Sequence, residues 1–138
     1  MIIFYDHNYP PLAIFEIDSF LENDYKTFTK IFDDILEKST NKKQFTNIYI
    51  DLYKLDQYSI YNIKDITYYF TYLNADKLQF INTINIYIKK DNFYFLSLLE
   101  NINDYAIMKI KIIESENQYK WKKFIILFII NIIKKKIY

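Results

Sequence analysis

The stretch Phe45-Thr46-Asn47-Ile48-Tyr49-Ile50-Asp51-Leu52 decides the fold of this chain. It is a run of β-branched and aromatic residues, short enough to form a strand that is buried inside a sheet. A helical pattern ends before the polar segment 39–44, and another helical pattern follows the stretch. Because neighbouring parallel strands are usually joined by a helix, a buried strand between two helices predicts an α/β fold.

Outward from this strand, runs of strand type alternate with repeats of helical type. The other predicted strands are 2–5, 12–17, 81–88 and 106–113. The predicted helices are 23–39, 60–73, 93–102 and a last one at about 115–135. The order ββαβαβαβα predicts a single α/β domain over 1–138, with a mixed, mostly parallel sheet of about five strands and helices packed on it.

The predicted boundaries come from residues that begin and end helices. Asn23 or Asp24 is predicted as the N-cap of the first helix. The chain contains no Gly, the usual residue in the left-handed conformation after a helix. Asn is the next choice for that conformation, and three Asn residues follow predicted helices: Asn41, Asn74 and Asn103. The last predicted strand carries Lys109 and Lys111, which is typical of a sheet edge.

Composition restricts the chemistry that the chain can perform. Without Gly there is no glycine-rich phosphate loop, and without Cys there is no thiolate nucleophile or thiolate zinc site. The net charge is only +1 and Arg is absent, which disfavours nucleic acid as a partner. His7, the only histidine, lies in a turn, where a solvated role is favoured. We predict no enzymatic activity, no cofactor and no metal site.

The most frequent residues, Ile, Lys, Tyr, Asn and Phe, have codons that are rich in A and T. This bias indicates an AT-rich genome, such as that of a protist, an organelle or a large DNA virus. The first residues lack the basic region, the long apolar stretch and the cleavage site of a secretory signal. We therefore expect an intracellular location, in the cytoplasm or in an organelle.

Ile48-Tyr49-Ile50-Asp51-Leu52-Tyr53-Lys54-Leu55 resembles the segment of STAS domains in which a hydrophobic strand is followed by Asp-Leu, a turn and Leu. These are the anti-sigma-factor-antagonist-like domains. The run 9–17 followed by Asn23-Asp24-Tyr25 resembles their strand, loop and first helix, and Trp121 lies in the last helix, as it often does there. The resemblance covers about residues 9–128, and it implies a non-catalytic interaction module.

The candidate ligand or switch site consists of Asp51, Asp56 and Ser59. The two carboxylates lie near the carboxyl ends of predicted strands, where ligands bind in open α/β sheets. A turn-forming role explains Asp51 as well, and we favour it. In bacterial antagonists of the STAS family, a serine at the start of the second helix is phosphorylated. Ser59 lies about one position from that point, in a stretch that lacks the family's Gly.

The last helix is apolar on all sides from Phe124 to Ile133, except at Asn131. Ten residues of helix measure about 15 Å, half the hydrocarbon core of a membrane, so we predict no transmembrane span. A helix that is apolar all round needs two burial surfaces. Core packing, a protein interface and peripheral membrane contact remain open for the second. The candidate interface residues are Trp121, Phe124, Phe128 and Ile132.

The sequence therefore predicts a non-enzymatic protein-interaction or scaffold module, with a protein partner or self-association. The alternative is a small-molecule or lipid-binding domain with a pocket at the carboxyl ends of the strands. Tyr68, Tyr69 and Tyr72 on the second helix could form a stacking platform, but we interpret them as filling core and half-buried positions.

Overall fold

The structure is a computed structural model that describes residues 1–8, 11–55, 63–89 and 93–114. The strands are β1 (Ile2–Asp6), β2 (Leu12–Glu16), β3 (Thr46–Asp51), β4 (Ile81–Tyr87) and β5 (Ile110–Ile113). The helices are α1 (Glu22–Lys42), α2 (Lys64–Thr71), α3 (Ala75–Leu78), α4 (Phe93–Leu98) and α5 (Asp104–Lys109). A 3₁₀ turn, Leu99–Asn101, follows α4.

The strands form one five-stranded sheet in the order β1-β2-β3-β4-β5. β1 and β2 are antiparallel, and every other neighbouring pair is parallel. Each parallel pair is joined by one or more helices. The predicted α/β class, with a mixed and mostly parallel sheet, is confirmed. β5 lies at an edge of the sheet, as predicted, and carries Lys111, whereas Lys109 belongs to α5.

One face of the sheet carries the hydrophobic core. Alternate residues of the strands and the apolar residues of all five helices belong to a single cluster, which places these helices on the same face. This is the arrangement expected when sequential parallel strands are joined by right-handed crossovers. The strand residues of this cluster include Ala13, Phe15, Ile48, Ile50, Ile84 and Ile86, and the helix residues include Phe28, Phe32, Ile66, Phe70, Leu78, Phe95 and Ala106.

The first helix forms because its apolar residues recur at intervals of three and four and face the sheet. Leu21, rather than Asn23 or Asp24, is the N-cap residue. Asp24 instead accepts a hydrogen bond from the Leu21 N–H at 3.0 Å, as a residue at the third helical position can. The helix continues through Asn41 and ends at Lys43, which adopts the left-handed conformation with φ 52°. The prediction that Asn41 ends the helix is wrong.

Asn74 and Asn103 begin helices rather than end them. Both have extended backbones and lie immediately before α3 and α5. The Asn74 side chain accepts the Lys77 N–H at 2.9 Å, and the Asn103 side chain accepts the Ala106 N–H at 2.9 Å. The predicted left-handed role of both residues is wrong, because the amide side chain is used as an N-cap.

The predicted strand 106–113 is correct only in its second half. Residues 104–109 form α5, and β5 begins at Ile110. Tertiary contacts explain the difference. Besides capping α5, the Asn103 amide donates to the carbonyls of Thr71 at 2.9 Å and Leu73 at 3.0 Å, which ties this helix to the end of α2. Buried Ala106 then packs in the core.

The structure describes the predicted second helix, 60–73, only from Ile63 onward, and α2 covers Lys64–Thr71. Its predicted apolar stripe is confirmed at Ile63, Ile66, Phe70 and Leu73, which are all buried. Within the described ranges, no helix is both long enough and apolar enough to cross a membrane. The predicted last helix, at about 115–135, lies outside the described residues.

Candidate functional site

One residue of the predicted ligand or switch site, Asp51, is described by the structure and lies at the carboxyl end of β3. Asp51 is 8% exposed, and its Oδ1 accepts the N–H of Tyr53 at 3.0 Å. The Asp51 carbonyl accepts the N–H of Ile17 at 3.0 Å. These bonds fix the turn after the strand, in agreement with the turn-forming role favoured for this residue. Asp56 and Ser59 lie outside the described residues, so their part in a site stays a prediction.

Charged and aromatic side chains surround Asp51. Glu16 and Tyr87 are its register partners on the neighbouring strands. Lys54 lies 3.9 Å from the Glu16 carboxylate, and Lys89 lies 5.9 Å from the centre of the Tyr53 ring. Contacts of this kind contribute little to the free energy of unfolding when they are exposed to solvent. This end of the sheet thus brings two carboxylates side by side.

His7 follows β1 and has no catalytic neighbourhood among the described residues. Its ring centre lies 5.9 Å from that of Tyr5, and its carbonyl accepts a hydrogen bond from the Lys42 ammonium at 3.4 Å. No group of three or more His, Cys, Asp or Glu residues in the described part of the chain could hold a metal ion. The contacts of His7 are those of a turn residue held against the end of α1.

A tyrosine-rich surface stands where α1 meets α2. We call it the tyrosine face and define it by four tyrosines and two carboxylates: Tyr25, Tyr68, Tyr69, Tyr72, Asp33 and Asp65. Tyr68 and Tyr69 lie on α2, and Tyr72 is its C-cap residue. Their side chains point in two directions, because successive helical residues are about 100° apart. Tyr69 packs toward α1, whereas Tyr68 and Tyr72, one helical turn apart, project into solvent.

Tyr69 anchors α2 to α1. Its ring is half-buried and meets the rings of Phe28 and Phe32 edge to face, with centres 6.2 and 5.5 Å apart. Its hydroxyl donates a hydrogen bond to the Asp33 carboxylate. Burial, the hydrogen bond to Asp33 and the negative charge of Asp33 all raise the pKa of Tyr69. The contact fixes the spacing of the two helices and holds Asp33 at the surface between them.

Tyr68 and Tyr72 form an exposed pair. Tyr68 is 58% exposed and Tyr72 is 60% exposed. Their rings are in edge-to-face contact with centres 5.1 Å apart, and their hydroxyls are hydrogen-bonded to each other. This bond to Tyr68 is the main cause that raises the pKa of Tyr72. The pair is held in one geometry although it contributes little to the core.

Tyr25 of α1 completes the face. Its ring meets Phe20 edge to face at 6.4 Å, which leaves the hydroxyl toward α2. Burial raises the pKa of Tyr25, and the nearby charge of Asp65, the Tyr68 hydroxyl and Asp33 raise it further. Four tyrosines and two carboxylates from α1 and α2 therefore converge on one surface.

A half-open cleft of about 290 Å³ adjoins the tyrosine face between α1 and α3. Three carboxylates and one ammonium group line it, and Asp33 belongs to both the cleft and the tyrosine face. The cleft lies near the end of the sheet where strands begin, because its α1 and α3 residues precede β3 and β4. The lining residues are Asp33, Leu36, Glu37, Thr40, Asp76 and Lys77.

Sequence reasoning missed this surface. The interpretation of Tyr68 and Tyr72 as core or half-buried residues is wrong, since both are largely exposed. The signal lay in the helical stripe itself. Ile63, Ile66, Phe70 and Leu73 define the buried side of α2, and a pair at 68 and 72 falls outside that stripe.

The predicted interface on the last helix is not described by the structure. Trp121, Phe124, Phe128 and Ile132 all lie outside the described residues. Their role in self-association therefore rests on the sequence pattern alone.

Comparison with known proteins gives no match: no family model, no curated protein and no solved structure is similar to this chain. The resemblance to STAS domains stays a prediction from the sequence.

Proposed function

We propose that this chain is a non-enzymatic protein-interaction or scaffold module that resembles a STAS domain and binds a partner protein at the tyrosine face. The observation that carries the proposal is the exposed pair Tyr68 and Tyr72, held ring to ring on a helix that is itself anchored to the core. Tyrosine is enriched in protein interfaces because it offers a large, stiff contact area and a polar end.

The neighbouring cleft favours a protein partner over a small ligand. Small-molecule sites are concave, measure about 300–1,000 Å³ and bury most of the surface of the ligand. The cleft measures about 290 Å³, is open to solvent and is lined by four charged residues. A cleft of this kind suits one side chain of a partner whose main contacts lie on the tyrosine face.

The proposal can be tested by selection of random twelve-residue peptides displayed on phage against the immobilised protein. We expect a convergent set of peptides that bind the wild type and the Tyr105→Ala variant. We expect at least tenfold weaker binding to the double variant Tyr68→Ala/Tyr72→Ala. Tyr105 is a matched control, because it is 59% exposed but lies on α5. Selection of no convergent peptides, or equal binding to both variants, would contradict the proposal.

A second contact through the last helix belongs to the same proposal. Its apolar residues on more than one side favour association with another copy of the chain. The change is Phe128→Lys or Ile132→Lys, measured by size-exclusion chromatography with light scattering. We expect a concentration-dependent dimer in the wild type that both variants abolish. A wild type that stays monomeric at all concentrations would contradict this part of the proposal.

The alternative is a domain that binds a small molecule or lipid at the carboxyl ends of the strands. It is favoured by one observation, the adjacent carboxylates of Glu16 and Asp51 at that end of the sheet. Native mass spectrometry of the purified protein measures whether a small molecule is retained. A retained mass that is lost in Asp51→Asn supports the alternative, whereas a spectrum of the bare chain counts against it.

A further inference from the structure

We infer that the partner segment on the tyrosine face is cationic and carries lysine or arginine side chains. The inference rests on the proposed function and names the chemistry of its partner. It depends on two properties of the surface, the exposed aromatic rings and the carboxylates beside them.

The aromatic rings suit a cation. The face of a tyrosine ring attracts an ammonium or guanidinium group when the ring is exposed and held in place. The edge-to-face contact between Tyr68 and Tyr72 fixes the two rings and leaves them largely exposed. An incoming cation therefore meets a ring that is already oriented.

Among the described residues, the carboxylates on this side of the molecule form no ion pair with a lysine. The four carboxylates are Asp33, Glu37, Asp65 and Asp76. The ion pairs that the described residues form with one another are Lys38–Asp34 and Lys54–Glu16, and neither involves these four. Asp33 accepts a hydrogen bond from the Tyr69 hydroxyl, which supplies no positive charge.

Lysines also lie on the helices that carry this surface. Lys77 lines the cleft, and Lys26, Lys30 and Lys64 lie on α1 and α2. None of the four forms an ion pair with the carboxylates of the face among the described residues. Carboxylates and exposed rings thus converge where the partner would lie, with the ammonium group of Lys77 beside them in the cleft.

Asp33 connects the two parts of the surface. It accepts the Tyr69 hydroxyl between α1 and α2 at one side and lines the α1–α3 cleft at the other. A partner segment can therefore place one cationic side chain over the tyrosine rings and a second one in the cleft. Charge complementarity of this kind sets partner choice and association rate more than total affinity.

The test is a titration of ¹⁵N-labelled protein with octalysine and, separately, with octaglutamate, followed by amide chemical shifts. We expect octalysine to shift amides of α1, α2 and α3, and octaglutamate to leave them in place. Binding should weaken about 5- to 30-fold in Tyr68→Ala/Tyr72→Ala, if each ring contributes as exposed cation–π contacts do. Asp33→Asn/Asp65→Asn should weaken it as well, and raised salt should weaken it further.

Tyr105→Ala and Asp104→Asn are the matched controls, since both residues are exposed and lie on α5. Both controls should bind octalysine as the wild type does. No shift with octalysine, shifts that the tyrosine and aspartate variants leave unchanged, or binding of octaglutamate at this face would each overturn the inference. Phage peptides that bind the face but lack Lys and Arg would overturn the cationic partner and leave the proposed function standing. Absence of any convergent peptide would overturn the proposed function itself.

Discussion

Neighbouring tyrosines on α2 have opposite roles. Tyr69 packs against two phenylalanine rings of α1 and donates its hydroxyl to Asp33. Tyr68 and Tyr72 contact each other through their rings and hydroxyls, and both side chains remain exposed. Residue type alone therefore does not separate the side chains that stabilise the domain from those that are available to a partner. Position on the helix does.

The two sides of α2 contribute to two different free energies, that of unfolding and that of binding a partner. Burial of an aromatic ring removes apolar area from water and contributes to the free energy of unfolding. An exposed ring adds little to the free energy of unfolding. It can instead contribute to the free energy of binding when a partner covers it. Variants on the two sides of α2 should therefore change different measurements.

The largest effect is expected at Phe70, on the core side of α2. This side chain is fully buried, and its ring centre lies 5.7 Å from that of Phe32. Phe70→Ala should lower the free energy of unfolding by about 3–5 kcal/mol, because it removes apolar contacts and leaves a cavity. Urea denaturation followed by circular dichroism measures the change. A loss below about 1 kcal/mol would show that α2 is not part of the cooperative core.

A smaller loss is expected from Tyr69→Phe. The variant keeps the ring between Phe28 and Phe32 but removes the hydroxyl that bonds to Asp33. The free energy of unfolding should fall by about 0.5–1.5 kcal/mol, the usual net value of one hydrogen bond. The same denaturation experiment measures it, with Tyr105→Phe as the control. Equal stability of Tyr69→Phe and the wild type would mean that packing alone anchors the helix.

The hydrogen bond between Tyr69 and Asp33 should also affect how the free energy of unfolding changes at alkaline pH. The pKa of Tyr69 in the folded protein is raised above its ordinary value of about 10. Its contribution to stability is therefore complete below pH 10 and is lost as the pH rises toward the folded-state pKa. The free energy of unfolding should fall more steeply between about pH 10 and pH 12 in the wild type than in Tyr69→Phe. Parallel curves for the two proteins would contradict this linkage.

The smallest effect on stability is expected on the exposed side. Tyr68→Ala and Tyr72→Ala should each change the free energy of unfolding by about 0.5 kcal/mol or less, as substitutions of exposed residues usually do. Thermal denaturation checks this, and the peptide-binding experiments should show a loss in the same variants. If these variants unfold as readily as Phe70→Ala, the exposed pair is structural and the two sides of α2 do not differ in role.

Much of the fold could be predicted from the sequence, because its periodicity survives the biased composition. The predicted strand-type runs at 12–17 and 45–52 contain β2 and β3, and the stripe from Ile63 to Leu73 lies on the buried side of α2. Local sequence patterns give the wrong secondary structure where contacts between distant residues determine it. Residues 106–109 alternate like a strand, yet Asn103 bonds to the end of α2 and begins a helix there.

The site was less predictable for a physical reason. Asp51 is identified by its position after a strand, and its turn-forming bond agrees with that position. The tyrosine face depends on the approach of Asp33 on α1 to Tyr69 on α2, and no local spacing encodes that approach. In a chain with 15 Tyr, the residue type gives no warning of which rings are exposed.

The left-handed residue at the end of α1 carries a backbone cost that a single substitution can relieve. Among the described residues, Lys43 is the one with positive φ, a conformation that costs a residue with a Cβ atom about 1–2 kcal/mol. Asn tolerates this conformation better. Lys43→Asn therefore relieves this strain, and Gly is not needed for it.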